Sequence, residues 1–134
     1  MLRIAYYVSD HGYGHAARAI AAIRAILLKA NELELYVKSD APLAFLQESI
    51  SDPRVCFDEC RNDIGLKLQA NSFRVDRGAT AHELRQWVAD WPIWVARETN
   101  FWACIKPSLV ISDIAPQAFL LARQLDIPSM AVSN

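Results

Sequence analysis

"RIAYYVSDHGYGHAARAIAAIRAILL", residues 3–28, changes its period partway along. Residues 3–8 form a short run in which Ile4, Tyr6, Tyr7 and Val8 favour extended backbone, as a buried strand requires. Over residues 15–30, Ala16, Ala19, Ile20, Ile23 and Leu27 fall instead at helical spacing on an alanine-rich background. Between the two lies Gly12-Tyr13-Gly14, with His11 before it and His15 after it. Strand, glycine turn and helix, in that order, are the opening of a parallel α/β domain.

The rest of the chain repeats the alternation. A second strand is expected over 33–38, a short helix over 42–49, a third strand over 54–57 and a fourth over 107–113. "IAPQAFLLARQLD" reads as a helix with Ala115, Phe119, Ala122 and Leu125 facing inwards, and "IPSMAVSN" as a fifth strand. The fold class that follows is α/β: a three-layer, doubly wound, Rossmann-like parallel sheet of order 3-2-1-4-5. Residues 58–80 interrupt the rhythm and read as a long loop with extended pieces at "LKL" and "SFRV". A loop of that length in a compact domain is usually functional or mobile. Thr80 followed by Glu83 suggests a capping box opening a helix to about residue 105, kinked at Pro92. Leu84, Trp87, Val88, Trp91, Trp94 and Val95 would share one broad face of it, packing a core or a domain interface.

Composition narrows the function classes. The 134 residues suffice for one domain with a real core, 53% are hydrophobic, 22% are charged, and the formal net charge is -1. That balance, with no basic stripe, argues against nucleic acid as a partner. No window has the length of a transmembrane segment, and the apolar start is too short for a secretory signal. Cys56, Cys60 and Cys104 cannot all pair within the chain and lack companions at metal-ligand spacing. Reduced thiols, a cytoplasmic location and no metal site are the expectation.

Gly12-Tyr13-Gly14-His15-Ala16-Ala17 fits the dinucleotide fingerprint G-x-G-x-x-A, and Asp40 after the second strand would then be the ribose-binding acid. Equally, the glycines could serve the turn alone. The histidines favour another chemistry. At a helix N-terminus the dipole biases an imidazole towards its neutral form, which suits a base accepting a hydroxyl proton. In a 3-2-1-4-5 sheet, strands one and four are neighbours, so the loop holding Asp10, His11 and His15 faces Ser112-Asp113. Asp113 would orient one imidazole and stabilise its imidazolium, or cap the helix that follows.

"YYVSDHGYGHAARAIAAIRAIL" and "SLVISDIAPQAFLLARQLDIPSMAVSN" together resemble the N-terminal half of GT-B glycosyltransferases. The Gly14-His15 turn is similar to the glycine-histidine turn of the lipid II-forming N-acetylglucosaminyltransferase and of small-molecule UDP-glucosyltransferases. "HGYGHAAR", "LQANSFRVDRGAT" and "VISDIAP" look most like the glycosyltransferase-like segment of plant L-arabinokinase and its bacterial relatives. The resemblance runs over essentially the whole chain. It implies His15 as general base and Asp113 as its aspartate; Asp10, His11, Gly12, Tyr13 and Gly14, in the same turn, would line the substrate cleft. Where those glucosyltransferases often carry a proline after the turn, this chain has Ala16-Ala17-Arg18.

Residues 1–134 are therefore expected to be the acceptor-side domain of an inverting glycosyltransferase. Its partners would be a nucleotide-sugar donor as co-substrate, a hydroxyl-bearing acceptor and a C-terminal donor half lying beyond this stretch. No separate cofactor is implied. Alone, the 134 residues should be inactive, with apolar surface that favours self-association. The alternatives are an NAD(P)-binding domain of an oxidoreductase and a non-catalytic sugar-sensing module.

Overall fold

The computed structural model describes residues 1–133. Five parallel strands, β1 (Leu2–Tyr7), β2 (Leu33–Ser39), β3 (Val55–Glu59), β4 (Leu109–Ser112) and β5 (Ser129–Ala131), form one sheet ordered β3-β2-β1-β4-β5. The expected order holds, with β1 beside β4 and Tyr7 in register with Ser112. Fifth-strand pairing ends at Ala131, and Asn134, where that strand was expected to run, lies outside the described residues.

Strand alternation divides the core into two layers. Ile4, Tyr6 and Val8 point to the side of α1 (Gly12–Lys29) and α2 (Leu43–Ser49), where they meet Ala16, Ile20, Ile23 and Leu46. Ala5 and Tyr7 point to the other side, against Trp94 and Trp102 of α4 (Trp91–Ile105) and Ala118 and Leu121 of α5 (Pro116–Gln124). Every α1 residue expected to face the core is buried.

A buried ionic cluster fastens α4 to the sheet. Glu98, fully buried, accepts hydrogen bonds from Tyr7 Oη at 2.6 Å and from Lys38 Nζ at 2.9 Å. Trp102 Nε1 donates to the same tyrosine oxygen at 2.7 Å, and Lys38 Nζ lies 3.7 Å from the centre of the Phe101 ring. Burial, together with the Glu98 charge, holds the Tyr7 hydroxyl well above the usual tyrosine range, so it remains a donor.

Several local expectations are corrected. Helix α1 begins at Gly12 rather than 15, because Gly12 takes φ +62° and turns the chain straight from strand to helix. The helix expected from Thr80 to 105 is two helices, α3 (Arg77–Ala89) and α4, parted at Asp90. Pro92 has no N–H to continue a helix, yet it fits the first turn of a new one. Asp76, not Thr80, caps α3 by accepting from Ala79 N at 2.9 Å. Thr80 Oγ1 accepts instead from Lys67 N, and Glu83 pairs with Arg61 and Lys67. No α3 residue is buried; of the expected apolar stripe, Leu84 and Val88 are exposed, Trp87 and Trp91 are half-buried, and Trp94 is in the core. Within the 58–80 stretch β3 extends to Glu59, α3 starts at Arg77, and the residues between them carry an isolated antiparallel bridge, Leu68 to Val75. Leu125, expected inside, is exposed, while Gln117, Ala118 and Leu121 take the inner face of α5.

Candidate active site

Strand β1 delivers His11 and His15, and its neighbour β4 delivers Asp113. The Asp113 amide still follows the sheet, donating to Tyr7 O at 2.9 Å, but the side chain leaves it. The turn after it is strained: Ile114, a β-branched residue, sits at φ +56°, a conformation costing about 1–3 kcal/mol. Ser112 Oγ holds the turn, accepting from Ala115 N and donating to Ala115 O, both at 3.1 Å. Helix α5 starts only at Pro116, and its cap residue is Ala115, so Asp113 is not the cap.

The Asp113 carboxylate, with no exposed surface, instead faces His15 and Arg18. His15 Nδ1 lies 3.0 and 3.1 Å from its two oxygens, and Arg18 Nη2 lies 3.0 Å from each. A carboxylate has no proton to give, so the hydrogen bond puts the His15 proton on Nδ1. Nε2 then carries the lone pair and has no protein partner among the described residues; the side chain is 24% exposed. Beneath the pair, the Tyr6 hydroxyl is buried with no hydrogen-bond partner among the described residues. Burial first, and the Asp113 charge second, push it up to about 12.

Asp10 and His11 occupy the other side of the turn. Asp10 accepts from the backbone amides of Asp40 at 2.8 Å, Asn62 at 2.6 Å and Asp63 at 3.3 Å, tying together the segments that follow β1, β2 and β3. Burial pushes its carboxyl up to about 6 against these hydrogen bonds. Asp40, the candidate ribose acid, is exposed and contributes its backbone amide to Asp10. His11 faces a different carboxylate: its Nε2 lies 3.7 Å from Asp63 Oδ1. Asp63 accepts from Ser9 Oγ at 2.6 Å and from Asp10 N at 2.9 Å. Gly65 packs flat on the imidazole, since a Cβ there would lie 2.6 Å from His11 Cε1. Gly14 and Tyr13 are exposed, and Tyr13 meets Phe45 edge-on.

Sequence reading missed Arg18, Asn62, Asp63 and Gly65. The last three lie in the long loop, where no periodicity marks them. Asn62 is buried, and its amide donates to Val8 O and Lys38 O at 2.8 and 2.9 Å. Arg18 follows His15 by three residues, the spacing of neighbours on a helix, and that signal was legible.

A cleft of about 310 Å³ opens beside this loop, walled by Trp87, Trp91 and Trp94 with Arg61, Arg97 and Asp90. It lies at the carboxyl end of the sheet. Arg61 follows β3, and α4 runs from the cleft to Ile105, whose carbonyl accepts from Arg3 at the start of β1. Among the described residues no helix is long and apolar enough to cross a membrane.

Residues 2–134 match the family described as Glycosyl transferase family 1. L-arabinokinase of Arabidopsis thaliana is 30% identical over 134 residues, which are 99% of this chain and 13% of that protein. Among solved structures, the calicheamicin glycosyltransferase CalG4 superimposes with TM-score 0.63 at 14% identity, over 97% of this chain and 32% of its own. UGT89C1 of Arabidopsis thaliana complexed with UDP-L-rhamnose gives 0.64 at 13%, over 96% and 35%. A ugt transferase from Siraitia grosvenorii in complex with UDP gives 0.56 at 17%, over 99% and 28%. The chain thus spans about one-eighth of the curated relative and about a third of each solved neighbour. With a family match over nearly its full length and the sheet order observed above, the chain belongs to glycosyl transferase family 1 and has a Rossmann-like domain of the GT-B kind.

Proposed function

We propose that this chain is the acceptor-side half of an inverting glycosyltransferase, with His15 as the base and Asp113 as its carboxylate. The observation that carries the reading is the contact of His15 Nδ1 with a fully buried Asp113, which leaves Nε2 unengaged. In the reaction, the acceptor hydroxyl oxygen attacks the anomeric carbon of a nucleotide sugar as Nε2 takes the hydroxyl proton. The new C–O bond forms as the bond to the nucleotide phosphate breaks, and the electron pair leaves on the nucleoside diphosphate. One displacement inverts the anomeric centre. The imidazolium so formed is stabilised by Asp113, as the carboxylate of a hydrolytic triad stabilises its histidine.

Asp10, His11, Gly12, Tyr13 and Gly14 form the rim on which substrate rests. Asp10 works through the backbone by joining three segments, and Gly12 and Gly14 leave the main chain approachable. The donor is a nucleotide sugar, as the UDP and UDP-L-rhamnose named for the solved neighbours suggest, and it belongs to a second half. A cytoplasmic, nucleotide-sugar-using enzyme fits the free thiols. Separated from a donor half, the chain cannot hold both reactants, and positioning supplies much of such a rate. Its exposed Leu84, Val88 and Ile93, beside half-buried Trp87 and Trp91, favour self-association.

The experiment is a panel of nucleotide sugars and hydroxyl acceptors, with products read by mass spectrometry. The 134 residues alone are expected to give no transfer, and the same residues joined to a donor-binding half are expected to give it. Turnover by the 134 residues alone, abolished by His15→Ala, would contradict this division of labour. Sugar binding without transfer in the joined protein would favour the sensing module, and NAD binding lost on Gly14→Val the oxidoreductase.

A further inference from the structure

Arg18 bears on the chemistry of His15, an inference that rests on the proposed role of His15 as a base. Asp113 is wholly buried, and a buried carboxylate is costly unless a positive charge faces it. Two groups could supply that charge, His15 once protonated and Arg18 always. Arg18 Nη2 lies 3.0 Å from both carboxylate oxygens and 3.0 Å from His15 Nδ1. The last contact cannot be a hydrogen bond while Nδ1 gives its proton to Asp113, because both nitrogens are then donors. It is a cation held against the imidazole, and protonating His15 would place two positive charges side by side.

We propose that Arg18 is a positioning residue of the site: it supplies the counter-charge of Asp113 permanently, so that His15 need not, and thereby holds the imidazole in its proton-accepting form. Both effects of the guanidinium have the same sign. It satisfies the anion that would otherwise draw a proton onto His15, and it repels the imidazolium directly. Asp113 still fixes the tautomer, so orientation and charge are set by two different groups. Besides Asp113, from the turn after β4, and Arg18, on α1, the ionisable group beside the pair among the described residues is Tyr6 on β1, which burial keeps protonated. A single nitrogen bridges both oxygens, so a lysine ammonium can imitate it as a point charge.

The test is an NMR titration of the histidine ring resonances, with His15 told apart from His11 and His82 by His15→Gln. In Arg18→Met the His15 titration midpoint is expected to move up by about one pH unit, roughly tenfold in proton affinity. Arg18→Lys should stay within about 0.3 unit of the parent. A midpoint in Arg18→Met that is unchanged or lower would overturn the proposal, whatever the variant's stability. If Arg18→Met does not fold, Arg18→Gln, polar but uncharged, is read by the same criterion. Asp113→Asn supplies an independent check: with the anion gone and Arg18 present, the midpoint should fall by about one unit, and a rise would contradict the proposal. Failure here is distinct from failure of the base assignment, which would show as undiminished sugar transfer in His15→Gln while the titrations stood.

Discussion

His11 and Gly65 show how closely the turn is packed. The glycine lies against the imidazole because hydrogen is the only side chain the ring leaves room for. Gly65→Ala should displace a half-exposed ring rather than a rigid backbone, so its cost in stability is expected below about 1 kcal/mol. The His11 ring resonances, by contrast, should move as the imidazole leaves Asp63. Unshifted resonances with a large drop in melting temperature would mean that the backbone gives way instead. Asp10 offers a test in pH. Its folded carboxyl, at about 6, binds a proton more tightly than the unfolded one at 3.8. Stability tied to this group is therefore fully present at low pH and is lost as pH rises through about 6. Asp10→Asn does not titrate, so its melting temperature should gain on the parent's between pH 4 and pH 7. A gap opening the other way would show that the three amide hydrogen bonds outweigh burial.

At the scale of elements, α4 depends on one buried acid. Glu98 gathers Tyr7 and Lys38, which come from two adjacent strands, and Trp102 reaches the same group through Tyr7. Glu98→Ala would leave the Lys38 ammonium with Asp58, itself half-exposed, as its one anionic partner among the described residues. Breaking a buried pair in this way costs about 3–5 kcal/mol, a large part of a domain's stability. Urea unfolding should record that loss, and a change under about 1 kcal/mol would show that the cluster is dispensable. Helix α3 contributes no such anchor. Its apolar residues keep helical spacing across Asp90 into α4, which predicts one continuous helix, whereas Pro92 opens a new one. Proline inside a helical pattern permits either a kink or a fresh start, and periodicity does not distinguish them. The N-cap was misplaced for a related reason: Asp76 and Thr80 are both good caps, and the choice fell to Lys67, whose amide occupies Thr80.

At the scale of the whole molecule, topology was the most legible property. A period-two run, a glycine turn and a 3.6-period helix, repeated along the chain, fix a doubly wound sheet, and that order brings β1 beside β4. That order alone sets Asp113 against the histidine turn, and the resemblance to glucosyltransferases singled out His15, 98 residues away. What stayed hidden is what the sheet order does not govern. Asp63 and Gly65 meet His11 through an irregular loop, and Ile114 takes a left-handed conformation that nothing in its side chain announces. In the proposed reaction the His15–Asp113 pair takes the acceptor's proton during sugar transfer. The most direct measurement is the single-turnover rate of transfer by the two-half protein, with and without His15→Gln, in which the amide fills the site but cannot accept the proton. A fall of about 10²–10⁴-fold is expected, with substrate binding little changed. A His15→Gln rate within a few-fold of the parent's would contradict it.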